Sequence, residues 1–183
     1  MSDLALRLAV RELRRGGLVA VPTEAVWGFS CNPFNRRAVE HLLALKQRDW
    51  RKGLIVVASE LDVLAPFIEA PSGMALKRAK ATWPGPATWV FPAAPTAPDW
   101  ITGEHDSVAV RVTAHPLLRS LCARYGGALV STSANRAGQP PARSIAELRL
   151  RFGPELTVVP GALGGMSKPT SIREAATGHI LRR

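Results

Sequence analysis

Across 183 residues there are only two cysteines, one tyrosine and five lysines. Cys31 and Cys122 stand far apart, with no CxxC and no His/Cys cluster at metal-ligand spacing, so neither a disulfide framework nor a zinc site is expected. No apolar run approaches the roughly 20 residues that cross a bilayer. The opening MSDLALRLAVRELRRGG mixes charged with apolar residues and builds no signal-peptide core. A cytoplasmic protein with no membrane partner is therefore expected. The usual catalytic signatures are missing too: there is no G-x-x-x-x-G-K-[ST], no G-x-G-x-x-G, no H-E-x-x-H and no G-x-S-x-G. Gly161 to Lys168 has the composition of a phosphate-binding loop without its spacing. His41, His105, His115 and His179 are scattered and pair with no nucleophile.

What is present is ordinary globular material with a basic surface. Hydrophobic residues make up 46% and charged residues 21%, enough for a core and too apolar for a disordered chain. Lys and Arg number 24 against 14 Asp and Glu, for a formal charge of +10. Because most of the basic residues are arginine, the total says less than the distribution. Arg36, Arg37, Lys46, Arg48, Arg51 and Lys52 crowd one segment against Glu40 and Asp49 only, a local field that attracts anions.

Helical and extended patterns alternate along the chain. Leu4 to Leu13 recur at helical spacing before Gly16-Gly17, and Leu18 to Val21 is a short buried strand. A helix is expected over Arg36 to Gln47 and a strand over Leu54 to Ala58. Helices follow at Glu60 to Glu69 and Ser72 to Thr82, and strands at Thr88 to Phe91 and Val108 to Val112. The pattern continues with a helix at His115 to Tyr125, a strand at Ala128 to Ser131 and a helix at Ser144 to Phe152. Short strands at Thr157 to Val159, Thr170 to Arg173 and His179 to Leu181 close it. With no repeat and no linker, the expectation is one α/β domain over residues 1–183. Pro92 to Gly103 and Pro160 to Pro169 read as surface loops, the second as the lid over the site on its glycines.

Three polar segments sit where strands or helices end, the place where α/β folds bind ligands. Pro22-Thr-Glu-Ala-Val-Trp-Gly28 follows the first strand, and reads equally well as a capped turn with Trp27 in the core. In Leu45-Lys-Gln-Arg48 an ammonium and a guanidinium stand two apart at a helix end, where unwinding lets both face one site. Cations are favoured there by the helix dipole in any case. Ser131, Thr132, Ser133 and Asn135 present small donors suited to phosphate oxygens, or a turn that satisfies its own backbone. Arg111 interrupts an apolar strand, and an unpaired buried charge is costly unless it faces a site.

P-T-E-A-V-W-G (22–28), L-K-Q-R (45–48), K-G-L-I-V (52–56), W-P-G-P-A-T (83–88), S-V-A-V-R-V (107–112), S-T-S-A-N (131–135) and P-T-S-I-R (169–173) run in one order over nearly the whole chain. In this the sequence resembles the YrdC/Sua5 family in its short bacterial form, without the C-terminal Sua5 extension. The resemblance implies an open twisted sheet of mixed parallel and antiparallel strands, flanking helices and a basic concave face. It implies an enzyme, a nucleotidyltransferase that makes L-threonylcarbamoyladenylate and pyrophosphate from L-threonine, bicarbonate and ATP. The product serves threonylcarbamoyl modification of tRNA adenosine 37 through a downstream transferase complex. The family signature falls on Lys46, Arg48, Ser133 and Asn135 as catalytic and ATP-binding residues. Thr23, Arg111 and Thr170 fall on the threonine site, and Arg143 and Arg182 on the nucleotide. Mg²⁺ is expected with ATP rather than in a protein cage. Asp49 stands where many members have proline, and Trp27 where they have Phe or Tyr. Two other readings compete: an RNA-binding module, although weak tRNA binding is also compatible with adenylate synthesis, and a carbamoyl-phosphate-dependent module that forms a carbamoyl adenylate.

Overall fold

Helix α1 (Asp3–Arg14) buries Leu6, Ala9, Val10 and Leu13 on one side, and the chain leaves it through Gly16 at φ +82. It leads into the hairpin β1 (Val19–Pro22) and β2 (Trp27–Ser30), whose eight residues are all buried. The computed structural model describes residues 3–71, 73–167 and 170–182. Next come α2 (Arg36–Lys46), β3 (Ile55–Ala58), α3 (Gly73–Lys80), β4 (Ala87–Pro92), α4 (Asp99–Thr102) and β5 (Ser107–Val112). The remainder is α5 (Pro116–Tyr125), β6 (Leu129–Ser133), α6 (Ile145–Phe152), β7 (Thr157–Val158), β8 (Ser171–Glu174) and β9 (Ile180–Arg182). The strands form one mixed sheet in the order β7-β1-β2-β6-β3-β5-β4-β8-β9. Pairs β1–β7, β3–β5 and β4–β8 are parallel; the others are antiparallel.

Strand alternation divides the core. Val56, Ala58, Val110, Val112 and Val130 face α2, where they meet Val39 and Leu42 together with Phe67. Their neighbours Val57 and Leu129, with Val19 and Val21, face the other way onto α1 and α5, against Leu13, Leu118 and Leu121. Each large side chain so buried contributes roughly 2 kcal/mol. Local caps fix the helix ends: Asn35 Oδ1 accepts from Ala38 N at 3.1 Å, and Ser144 Oγ from Glu147 N at 3.1 Å. Helix α2 stops at Gln47, the only non-glycine residue with positive φ among the described residues, at φ 50 and ψ 43.

The structure departs from the sequence pattern in four places. Glu60 to Glu69 is not a helix; only a 3-10 turn forms, at Asp62–Leu64. Pro66 has no N–H to continue it, and Phe67 and Ile68 bury their side chains from an irregular segment. Pro92 to Gly103 is not all loop, because α4 buries Ile101 and Thr102. Trp27 and Gly28, expected in a turn, open the strand Trp27–Ser30. Strand β6 runs two residues further than the expected end at Ser131, as far as Ser133. Ser72, Lys168 and Pro169 lie outside the described residues, and with them the end of the expected lid.

Candidate active site

Helices α1 and α5 cover only one end of their face of the sheet. Beyond them the same strands present Ile55, Ala109, Arg111, Ser131 and Ser133, the floor of a cavity of about 430 Å³. That volume suits a nucleotide-sized ligand. The β1–β2 turn forms one wall with Thr23, Ala25 and Val26. The segment from Arg48 to Leu54 forms a second, and Thr170, Ile172, Leu181 and Arg182 a third.

The second wall is shaped by the end of α2. The left-handed Gln47 turns the chain so that Lys46 and Arg48 diverge. Lys46 is 3% exposed, and its Nζ donates to Ser133 O, to Asn135 O at 3.0 Å and to Asn135 Oδ1 at 3.2 Å. Three acceptors match an ammonium's three donors, while burial and then Arg48 pull its pKa down to about 8. Arg48 faces the cavity, with Nη2 donating to Gly53 O at 2.9 Å. Burial lowers its pKa, opposed by Asp49. Asp49 caps the 3-10 turn Trp50–Lys52, accepting from Arg51 N at 3.0 Å with φ −62, a value proline also satisfies. Gly53 is required there: at φ +60 an added Cβ would lie 2.8 Å from Thr102 O.

Strand β6 ends in a polar loop that ties itself. Ser133 Oγ donates to Asn135 Oδ1 at 2.6 Å, and Asn135 Nδ2 donates to Arg136 O and Gln139 O at 3.0 and 2.8 Å. Thr23 Oγ1 donates to Val26 O at 2.8 Å, closing the hairpin turn. Thr170 is buried and accepts at its main-chain oxygen from Arg182 Nη2 at 3.1 Å. Burial lowers the pKa of Arg182, followed by the fields of Arg111 and Arg48, so three guanidiniums act on one space. Arg111 is 4% exposed on β5, with Nη1 3.1 Å from Glu24 Oε2 and Nη2 donating to Ser131 Oγ at 3.4 Å.

Of the residues marked in the sequence, Thr23, Arg48, Arg111, Ser133, Thr170 and Arg182 line the cavity together. Lys46 and Asn135 do not line it; they meet each other behind the wall and hold the loop that carries Ser133. Arg143 is exposed and outside the lining, its main-chain N–H on Glu147 Oε2 at 3.1 Å. Trp27 is a core residue, 2% exposed. Lys52, Ser107 and Ser131 line the cavity without having been assigned to it. Lys52 lay within the basic segment, Ser131 within S-T-S-A-N and Ser107 at the start of S-V-A-V-R-V, where Arg111 drew the attention.

Comparison with known proteins places this geometry in company. The Sua5, YciO and YrdC family, described as telomere recombination, matches residues 11–183. A protein named threonylcarbamoyl-AMP synthase from Coxiella burnetii (strain RSA 493) is 51% identical over 175 residues, covering 95% of this chain and 94% of its own. One of the same name from Chromohalobacter salexigens is 50% identical over 185 residues, covering 100% of both chains. The crystal structure of P. abyssi Sua5 complexed with L-threonine superposes with a TM-score of 0.88 at 28% identity, covering 95% of this chain and 52% of that one. This chain therefore spans about half of that Sua5 chain.

Proposed function

The chain belongs to the Sua5/YciO/YrdC family, and from that premise we propose that it is a threonylcarbamoyl-AMP synthase. It joins L-threonine, bicarbonate and ATP into L-threonylcarbamoyladenylate, releasing pyrophosphate and water. The observation that carries this reading is the convergence of Arg48, Arg111 and Arg182 on one cavity walled by hydroxyls.

The chemistry needs such a site. Threonine's amine and bicarbonate give N-carboxythreonine, whose new carboxylate attacks the α-phosphorus of ATP and expels pyrophosphate. Both reactants are anions, so repulsion and misalignment dominate the barrier. Two like charges 4 Å apart repel by about 4 kcal/mol near a protein surface. Fixed guanidiniums remove that repulsion, and holding both reactants in one cavity makes the attack effectively unimolecular. Arg111 takes the amino-acid carboxylate, with Thr23 and Thr170 beside it. Arg48 and Ser133 take the triphosphate, and Arg182 lies toward the nucleotide. Lys46 and Asn135 act behind them, setting the loop that presents Ser133. Mg²⁺ arrives on the phosphates as part of the ATP substrate. The adenylate then serves threonylcarbamoyl transfer to tRNA adenosine 37 by a downstream transferase, a role that fits a cytoplasmic protein. Among the described residues no helix is long and apolar enough to cross a membrane.

The test is pyrophosphate release with ATP, Mg²⁺ and bicarbonate, with L-threonine or L-serine, and mass spectrometry of the adenylate. Release that depends on threonine and bicarbonate, with the expected mass, is the supporting result. A folded protein without threonine-dependent release overturns the reading.

A further inference from the structure

A buried guanidinium ordinarily surrounds its five N–H groups with acceptors. Arg111 does not. Its Nη2 makes one long hydrogen bond, to Ser131 Oγ, and its Nε has no partner among the described residues. Its Nη1 stands 3.1 Å from Glu24 Oε2, yet that oxygen has no hydrogen-bond partner among the described residues, so the contact is an ion pair without hydrogen-bond alignment. Glu24 itself is fixed. Its Oε1 accepts from Thr113 Oγ1 at 3.0 Å, and its main-chain oxygen from Met166 N at 2.9 Å. It is 7% exposed and does not line the cavity, so it reaches a ligand only through Arg111.

We propose that Glu24 is a positioning residue of the amino-acid site, balancing the charge of Arg111 while leaving its N–H donors free. The arrangement has two effects. The balanced guanidinium stays at the cavity floor when no substrate is bound, instead of swinging out toward water. It also attracts simple anions weakly, because its net field is small. A ligand must then offer acceptor atoms in the geometry of the open fork, as a planar carboxylate does. Glu24 in this way confers selection for a planar carboxylate over halide at that position. The proposal rests on the reading of Arg111 as the group that holds the threonine carboxylate.

The experiment uses the full chain with Glu24→Gln, which keeps the shape and removes the charge. In about 0.1 M chloride the KM for L-threonine rises about tenfold while the KM for ATP is unchanged, the size expected for unbalancing a buried charge pair. Replacing chloride by methanesulfonate, which is bulky and not planar, recovers much of the loss in the variant and changes nothing in the wild type. Calorimetric titration of L-threonine without ATP shows the same ratio. Thr113→Val, which leaves the charge but loosens Glu24, raises the threonine KM about threefold without chloride sensitivity. If Glu24→Gln does not fold, Thr113→Val with an unchanged threonine KM overturns the proposal. So does a folded Glu24→Gln protein with wild-type threonine KM and no chloride response, or with equal losses in kcat and both KM values. Wild-type protein that does not bind threonine at all refutes instead the reading beneath it.

Discussion

The two ends of one sheet face behave as different materials. Where α1 and α5 lie on it, β3, β6 and β1 contribute Val57, Leu129, Val19 and Val21 to a dry core. Two residues away on β3 and β6 the same face presents Ile55 and Ser131 to the cavity, and Arg111 on β5, in register with Val57, reaches across to Ser131. Nothing in the backbone changes between the halves, since β3 and β5 pair in continuous parallel register from Ile55–Ala109 to Ala58–Val112. Only the helical cover ends. The site is thus what remains of a hydrophobic face when its lid of helices is too short, and the side chains there answer to a ligand instead of a partner helix.

Substitutions on either side of that boundary should separate stability from chemistry. Leu118→Ala, in the covered half, should cost about 3 kcal/mol of unfolding free energy by urea titration. Its threonine and ATP KM values should stay unchanged below the melting temperature. Arg48→Ala, in the open half, should do the reverse. Turnover measured as pyrophosphate release should fall roughly a hundredfold, with little change in the urea midpoint. Ser131→Ala sits nearest the boundary, and losing its contact with Arg111 should raise the threonine KM about fivefold. If Ser131→Ala instead lowers stability as a core residue would, the boundary has been drawn in the wrong place.

Lys46 tests the wall of the cavity by its titration. In the unfolded chain a lysine loses its proton near 10.5, whereas burial brings Lys46 down to about 8 in the fold. Between those values the unfolded state binds more protons, so this lysine's contribution to stability grows as pH rises through the window. From pH 7 to pH 9 the wild type should gain about 1 kcal/mol relative to Lys46→Met, read from denaturation midpoints at each pH. A gain of the opposite sign would mean that the three oxygens around Nζ hold the proton more tightly than burial expels it.

Much of this was legible in the residues, though not evenly. Apolar runs such as 54–58 and 108–112 announced their strands because burial on both faces leaves no polar alternation to confuse them. Trp27–Ser30 escaped for the opposite reason: Gly28 and Ser30 look like turn residues and become strand only by pairing with β1 and β6. Glu60 to Glu69 has helical spacing, but spacing is blind to the missing N–H of Pro66. In the site, Arg111 stood out as a charge in an apolar strand, and that local contradiction marked it. The residue types of Lys46 and Arg48 were readable, and their directions were not. Direction depended on the φ of Gln47 and on oxygens supplied from residues 133–135, neither of which has a local signature.

That same left-handed residue also sets a timetable. Arg48 closes on Gly53, five positions away, a ring whose closure costs less chain entropy than a long loop does. Lys46 closes on Asn135, eighty-nine positions away, and must wait until both ends of that long loop have met. The half-turn at Gln47 therefore joins an early event to a late one. A nascent chain acquires the gripping cation long before it acquires the wall that gives the grip its shape, and anion binding is expected only once the second half of the protein has folded onto the first.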